Sequence, residues 1–242
     1  MFGRLRATVI GAALALIVAG ATVAAQSGPR LRIGHYSTGS GLIGFVLDRM
    51  GAPIKLRFDG SDEILALTAE RSPYDSMTLK RDDGVAVLRI YETGRVVVFA
   101  DQLSGGSANA RRDQDAEPLT IKAATKKQAD ADADALTHKL RGAGAPALVI
   151  SLDAPHVADD SASWSAMADA VAIVGVTLTE MLASPIARET IAAKLQRVII
   201  RDAGQIDVKL LEKALIVEIA AKEPIVGRPS SARLKSAIGN LL

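Results

Sequence analysis

The sequence Ile54-Lys55-Leu56-Arg57-Phe58-Asp59 alternates apolar and charged residues without interruption. Because successive side chains of a β-strand point to opposite faces, this pattern predicts a strand with Ile54, Leu56 and Phe58 on a buried face. Similar patterns surround it in segments of comparable length: Phe45–Arg49, Ile64–Thr68, Ser76–Lys80, Val85–Tyr91 and Arg95–Ala100.

Short segments rich in glycine, proline, aspartate and serine separate these strands, at 50–53, 60–62, 72–75, 82–84 and 93–94. Such residues favour tight turns. Strands joined in this way are antiparallel neighbours, because a parallel connection needs a crossover of about a dozen residues. Residues 43–101 are therefore predicted to form an antiparallel β-meander of about six strands, with one apolar and one polar face. Each edge of such a meander could accept a strand from a partner protein.

Residues 126–242 are predicted to form a smaller mixed α/β domain, which makes the fold class α+β. The predicted elements are a helix over Lys126–Lys139, a strand over Ala147–Leu152, a helix with a buried stripe of Trp164, Met167, Val171, Val174, Leu178 and Met181, a helix that begins at Ser184-Pro185, a strand over Val198–Arg201, and a final helix with Leu234, Ile238 and Leu241 facing inward. Residues 206–220 fit either a hairpin that turns at Glu212-Lys213 or a helix, and their β-branched residues favour the hairpin.

Residues 1–25 have the features of a signal peptide. Arg4 and Arg6 precede an uncharged segment that ends in Val23-Ala24-Ala25, a small-residue pattern that signal peptidase accepts. Cleavage after Ala25 would deliver a periplasmic or secreted protein. The alternative is an uncleaved inner-membrane anchor, because an apolar segment of about 20 residues can span a bilayer.

Two polar segments flank the predicted meander. Residues 26–42 are predicted to be an extended N-terminal segment, and residues 102–125 a linker, because neither has apolar periodicity. Aromatic residues also divide the chain at this linker. Tyr36, Phe45, Phe58, Tyr74, Tyr91 and Phe99 precede it and Trp164 follows it, which predicts two separate cores.

Charge and motifs exclude several classes of function. The chain has 29 basic and 27 acidic residues, and loss of Arg4 and Arg6 with the leader would leave it neutral, so no affinity for nucleic acid is expected. Membrane contact is expected only through an uncleaved N-terminal segment. The segment Gly39–Gly44 matches G-x-G-x-x-G, but a predicted strand follows it where dinucleotide binding requires a helix.

No metal or cofactor is predicted either. The chain has no cysteine, and His35, His138 and His156 lie in separate segments, whereas a zinc site needs three or four protein ligands close together.

One group of residues has the composition of a weak catalytic candidate: Asp153, His156, Asp159 and Asp160. They follow a predicted strand and precede a helix, a position where α/β folds bind ligands, and a histidine among carboxylates can act as a general base. The alternative is that Asp159, Asp160 and Ser161 cap the N-terminus of the following helix and complement its charge, and that His156 is solvated. Arg228 and Arg233 near the last helix could bind an anion, although a solvated basic end is more usual.

Three further segments are distinctive: Gly41-Leu42-Ile43-Gly44-Phe45-Val46-Leu47-Asp48-Arg49, Leu56-Arg57-Phe58-Asp59-Gly60-Ser61-Asp62-Glu63 and Gly227-Arg228-Pro229-Ser230-Ser231-Ala232. With them the chain resembles a family of exported bacterial proteins of unknown function, chiefly alphaproteobacterial. The resemblance implies export but no activity, cofactor or site residue.

These observations favour an exported envelope protein that binds a partner or has a structural role and is not an enzyme. The alternatives are a periplasmic hydrolase that uses the Asp153–Asp160 loop and a membrane-tethered module.

We expect the exported protein to begin at Gln26, because cleavage after Val23-Ala24-Ala25 removes the whole apolar segment. N-terminal sequencing of protein from the native host measures this directly. A mature chain that still starts at Met1 would favour the membrane-tethered alternative.

Overall fold

Eight antiparallel strands form a closed barrel in the computed structural model, which describes residues 33–159 and 162–242. Each strand pairs with the next along the chain, and the eighth pairs with the first. The strands are β1 (Gly34–Thr38), β2 (Gly44–Asp48), β3 (Ile54–Phe58), β4 (Leu65–Ser72), β5 (Ser76–Lys80), β6 (Ala86–Tyr91), β7 (Val96–Phe99) and β8 (Ser107–Gln114). The predicted leader lies outside the described residues.

The six predicted strands are present as β2 to β7, but the predicted meander of about six strands is imprecise, because β1 and β8 extend it to eight strands and close it into a barrel. Strand β1 lies in the predicted N-terminal segment, and β8 occupies part of the predicted linker 102–125. The sequence does not predict β8, because its residues in the barrel core are the alanines Ala108 and Ala110, while its other residues are polar. Alternation between alanine and polar residues carries a weak hydrophobic signal.

The barrel interior contains the predicted apolar face. Leu56 is fully buried, and Ile54 and Phe58 pack against the same cluster. The Phe45 ring stacks on Tyr36 with ring centroids 5.5 Å apart and meets the Phe58 ring edge-on at 6.1 Å. Such aromatic contacts stabilise a core beyond the area that they bury.

The C-terminal half is a four-stranded sheet with helices, as predicted. Its elements are α1 (Lys126–Gly142), β9 (Val149–Asp153), α2 (Ser163–Leu182), α3 (Pro185–Lys194), β10 (Arg197–Asp202), β11 (Asp207–Leu211), β12 (Ala214–Ile219) and α4 (Ser231–Leu241). The strand order is β11-β12-β10-β9; β9, β10 and β12 are parallel, and β11 is antiparallel to β12. The predicted hairpin is confirmed: β11 and β12 are joined at Glu212-Lys213.

All four helices pack on the same face of this sheet. The sheet residues in the second core alternate along each strand and point to one side: Ile150 in β9, Val198 and Ile200 in β10, and Leu215, Val217 and Ile219 in β12. The same cluster contains buried residues of α1, α2, α3 and α4. None of the described helices therefore packs on the opposite face.

Helix α2 is the centre of this layer, and its predicted stripe is confirmed from Trp164 to Leu178, with Met181 partly buried. It is the one described helix that is long and apolar enough to cross a membrane, and most of it is buried in the core. In α4, Leu234 and Ile238 are buried as predicted, but the prediction for Leu241 is wrong because this residue is 37% exposed.

The segment between β8 and α1 runs against the outside of the barrel. Leu119 is buried in a small cluster with Val46 and Ile64. Its backbone N–H donates to the buried Asp48 carboxylate at 3.0 Å, and its carbonyl accepts from Lys55 Nζ at 2.9 Å. This part of the predicted linker is thus attached to the barrel by buried contacts.

We expect Leu56→Ala to lower the free energy of unfolding by about 2–5 kcal/mol, because Leu56 is fully buried in the barrel. Phe58→Ala should cost less than the roughly 3–5 kcal/mol of a fully buried phenylalanine, because its side chain is only partly buried. Chemical denaturation followed by circular dichroism measures both changes. Arg57→Ala on the exposed face is the control and should stay within about 0.5 kcal/mol of the wild type. Equal losses for Leu56→Ala and Arg57→Ala would contradict this assignment of faces.

Candidate functional site

The predicted catalytic loop does not assemble a site in the described residues. Asp153, at the end of β9, accepts a hydrogen bond from Arg201 Nε at 2.7 Å. His156 and Asp159 are exposed, and His156 makes no hydrogen bond or ion pair to any described residue. Asp160 lies outside the described residues. The structure therefore pairs one of the four candidates with an arginine of the neighbouring strand and leaves the two other described ones apart.

Asp159 is not the N-cap residue of α2. That position is Ala162, whose side chain has no group that can cap the helix. The loop is instead fixed by Trp164, whose Nε1 donates to the Ala158 carbonyl at 2.8 Å. Asp159 lines a shallow depression of about 470 Å³ with Lys126, Asp130 and other residues near the start of α1.

The described residues contain no group of three histidine or acidic side chains arranged to hold a metal ion. His35 and His138 lie on β1 and α1, and His156 lies in the β9–α2 loop. The three imidazoles are thus carried by separate elements.

A different group of titratable side chains does converge, on the outside of the barrel. His35 Nδ1 lies 2.6 Å from Asp113 Oδ1, and His35 Nε2 lies 2.9 Å from Asp59 Oδ2. Ser37 Oγ donates to Asp113 Oδ2 at 2.7 Å. We call these four residues the His35 cluster.

Gly44 makes the His35 cluster possible. It lies in β2, opposite Ser37 of β1, between the strand that carries His35 and the end of the strand that precedes Asp59. A Cβ atom at position 44 would lie 1.9 Å from Asp59 Oδ2 and 3.2 Å from His35 Nε2. The last glycine of the G-x-G-x-x-G match therefore provides space for a side-chain contact across the strand.

The two carboxylates change the proton affinity of the ring. Burial lowers the pKa of His35, but hydrogen bonds to Asp59 and then Asp113 outweigh this effect, so the pKa lies above its ordinary value. Hydrogen bonds from Ser37 and then His35 lower the pKa of Asp113. Because the Ser37 hydroxyl donates to Asp113 and not to the imidazole, the cluster lacks the nucleophile–base contact of a hydrolase.

The second notable surface is the face of the four-stranded sheet on which no described helix packs, which we call the open face. Ile199, which is partly buried, and Ile216, which is 4% exposed, lie side by side near its centre. Ion pairs flank them: Arg201 Nε with Asp153 at 2.7 Å, and Lys209 Nζ with Glu218 at 2.6 Å. The hydrogen bond to Glu218 raises the pKa of Lys209. The open face is thus apolar at its centre and carries paired charges towards both edges.

The edges of this sheet differ in their availability. On the β9 edge, the Ile150 N–H already donates to Thr137 Oγ1 of α1 at 2.9 Å. On the β11 edge, the antiparallel pairing directs the backbone groups of Val208 and Leu210 away from β12. Asp207 Oδ1 accepts from the Val208 N–H at 2.8 Å, and Leu211 is 54% exposed. Thr137 of α1 thus occupies a backbone donor of the β9 edge, whereas the β11 edge is protected by the side chain of Asp207.

The two arginines proposed to bind an anion have other partners. Arg228 is 3% exposed; its Nε donates to Asp169 of α2, and its Nη2 donates to the Ile64 carbonyl of the barrel at 2.9 Å. Burial raises the pKa of Asp169, and Arg228 offsets part of this effect. Arg233 lies 4.0 Å from Asp82 of the barrel. The pair belongs to the junction between the two halves of the chain.

Carboxylates of the barrel also bind the start of α4 at this junction. The Ser231 N–H donates to Glu63 Oε1 and the Ser230 N–H donates to Asp82 Oδ2, each at 2.8 Å. A negative charge at a helix N-terminus is favourable because the first backbone N–H groups have no partner within the helix. These contacts hold the last helix against the barrel.

Comparison with known proteins supplies a family and no activity. The sequence profile of the family described as Domain of unknown function (DUF4908) matches residues 15–238, so the chain belongs to this family. This confirms the resemblance to a domain of unknown function, while the exported and alphaproteobacterial character remains a prediction. No curated protein and no solved structure matches the chain.

We expect Arg228→Met to lower the free energy of unfolding by about 3–5 kcal/mol, because it leaves the Asp169 carboxylate without its partner in a buried site. Chemical denaturation measures the loss. Arg233→Met is the matched control and should cost less than about 1 kcal/mol, because Arg233 is partly exposed and only distantly paired. Adding Asp169→Leu to Arg228→Met should recover part of the loss. Similar losses for both arginines would contradict a special role for the buried pair.

Proposed function

We propose that this member of the family is an exported, non-enzymatic binding protein of the bacterial envelope, and that it binds a partner protein through the open face and the β11 edge. Export is supported by the sequence of residues 1–25, which ends in a signal-peptidase pattern. The alternative of a membrane-tethered module differs only in retention of this segment.

The observation that carries the proposal is the placement of all four helices on one face of the sheet. Parallel strands are usually covered on both faces, and three of the four strands here are parallel. The partner would cover the exposed part of Ile199 and contact the partly exposed charged groups of Arg201 and Lys209. Exposed Leu211 would extend the apolar contact to the edge of the sheet.

Strand addition is the second part of the proposed contact. Closure of the barrel removes both edges of the predicted meander, so an edge-binding partner must use the second sheet. The β11 edge is the more accessible of its two edges, because Thr137 occupies the Ile150 N–H on the other. Backbone hydrogen bonds to Leu210 would provide affinity, and the side chains of the open face would provide specificity.

The hydrolase alternative has less support. Asp153 is engaged by Arg201, and His156 forms a hydrogen bond with neither Asp153 nor Asp159, so the described part of the loop holds no base beside a nucleophile.

Photo-crosslinking in the native host tests the proposed contact. A photoreactive amino acid at Leu211 should give a discrete crosslinked species with a second protein. The same amino acid at Ile186, which is exposed on α3 at the helical side, is the matched control and should not. An additional Ile199→Glu substitution should abolish the Leu211 product while circular dichroism stays unchanged. Equal products from both positions, or none from Leu211, would contradict the proposed surface. Turnover of an ester, phosphate or peptide substrate that is lost in His156→Ala would favour the hydrolase.

A further inference from the structure

Both ring nitrogens of His35 face carboxylate oxygens, at 2.6 Å and 2.9 Å. A carboxylate can only accept a hydrogen bond, and a neutral imidazole has a single N–H group. In the neutral form, one ring nitrogen would therefore direct its lone pair at a carboxylate oxygen within contact distance. The geometry of the His35 cluster fits the doubly protonated imidazolium, which donates to both aspartates.

The His35 cluster lies across the pairing that closes the barrel. His35 is on β1 and Asp113 on β8, and these strands form the pair between the first and the last strand. The register of this pair shifts between His35 and Tyr36, so the ladder is irregular beside the histidine. Asp59 extends the contact past β2 to the end of β3. One imidazolium thus connects three parts of the barrel wall.

We propose that the His35 cluster is a pH-sensitive latch that holds the β1–β8 closure shut when His35 is protonated and loosens it when the proton leaves. After deprotonation, His35 keeps one hydrogen bond, and the other aspartate faces a lone pair. Asp59 and Asp113 then also lose the positive charge that lies between them. The strain falls on the irregular β1–β8 pairing, because Asp113 is part of β8.

The groups that face His35 determine whether folding raises or lowers its pKa. Asp113 acts on the ring from β8, Asp59 acts on it from the end of β3, and Gly44 contributes no side chain from β2. On β8, Arg112 donates to Asp115 and to the Ile33 carbonyl, so it is engaged next to the cluster. The pKa of His35 is raised in the folded protein, so its contribution is complete below the pKa of an unfolded histidine and is lost as pH rises through the folded value.

Asp113 sets the lower pH limit of the latch. Its pKa is lowered in the folded protein, so its contribution is present above the pKa of an unfolded aspartate and is lost as pH falls through the folded value. The latch is therefore closed in the pH interval between the lowered pKa of Asp113 and the raised pKa of His35.

Hydrogen exchange of the full chain, corrected for the intrinsic pH dependence of exchange, tests the latch. As pH rises through the pKa of His35, amides of β1 and β8 should lose protection relative to amides of β5 and β6. The loss should reach about tenfold for each unit by which the pKa of His35 exceeds that of an unfolded histidine. His35→Gln should remove this pH dependence, and His156→Gln, the matched control on an exposed histidine, should retain it.

A second measurement requires no substitution at His35. Titration of His35 by NMR in the wild-type protein should give a pKa above that of an unfolded histidine, and Asp113→Asn should lower it. A pKa of His35 at or below the unfolded value would overturn the proposal. Protection of β1 and β8 that does not change with pH, or that changes equally in His35→Gln, would also overturn it.

Discussion

The pairing of β1 with β8 is the constraint on which the barrel depends. Without it, the eight strands would form an open sheet with two exposed edges, and exposed edges invite pairing with other chains. With it, every strand has two neighbours and the apolar side chains of all strands can enclose a single core. The closure is made by two strands of weak apolar character, so polar contacts outside the barrel, such as those of His35 with Asp113, contribute to holding them together.

A second set of interactions makes the two halves one unit. The buried Asp48 carboxylate binds the connecting segment at Leu119, and Glu63 and Asp82 bind the start of α4. Arg228 links the barrel carbonyl of Ile64 to Asp169 of α2. Charges of this kind are costly to bury unless they are paired, so each partner depends on the other. The chain thus has two apolar cores but a shared polar junction.

Much of the fold could be predicted from local patterns. Strands β2 to β7 are short apolar or alternating segments separated by clear turns, and the stripe of α2 is regular, so both are predictable from the sequence. The hairpin of β11 and β12 followed from its β-branched residues. Strands β1 and β8 are not predicted, because their glycine, serine, alanine and charged residues give little hydrophobic periodicity. Their pairing also joins the two ends of the barrel sequence, which no local pattern indicates.

The sites were less predictable than the fold. The loop from Asp153 to Asp160 has the composition of a catalytic group, but a strand neighbour, Arg201, engages Asp153. The His35 cluster joins residues separated by 24 and 78 positions, and no local motif marks such a contact. Of the residues around this cluster, Gly44 belongs to a recognisable pattern, the G-x-G-x-x-G match, but that pattern normally indicates dinucleotide binding. Side-chain convergence across a barrel depends on register, and register was not determined by the sequence patterns.

The hydroxyl of Thr137 has a consequence for assembly. By occupying the Ile150 N–H, it removes a backbone donor from the β9 edge, so pairing with another strand is favoured beyond β11. A protein with two open edges can join its copies end to end without limit, as fibrils do. Copies that paired only through their β11 edges would stop at two, because the pair would present nothing but β9 edges, so this threonine disfavours open-ended assembly.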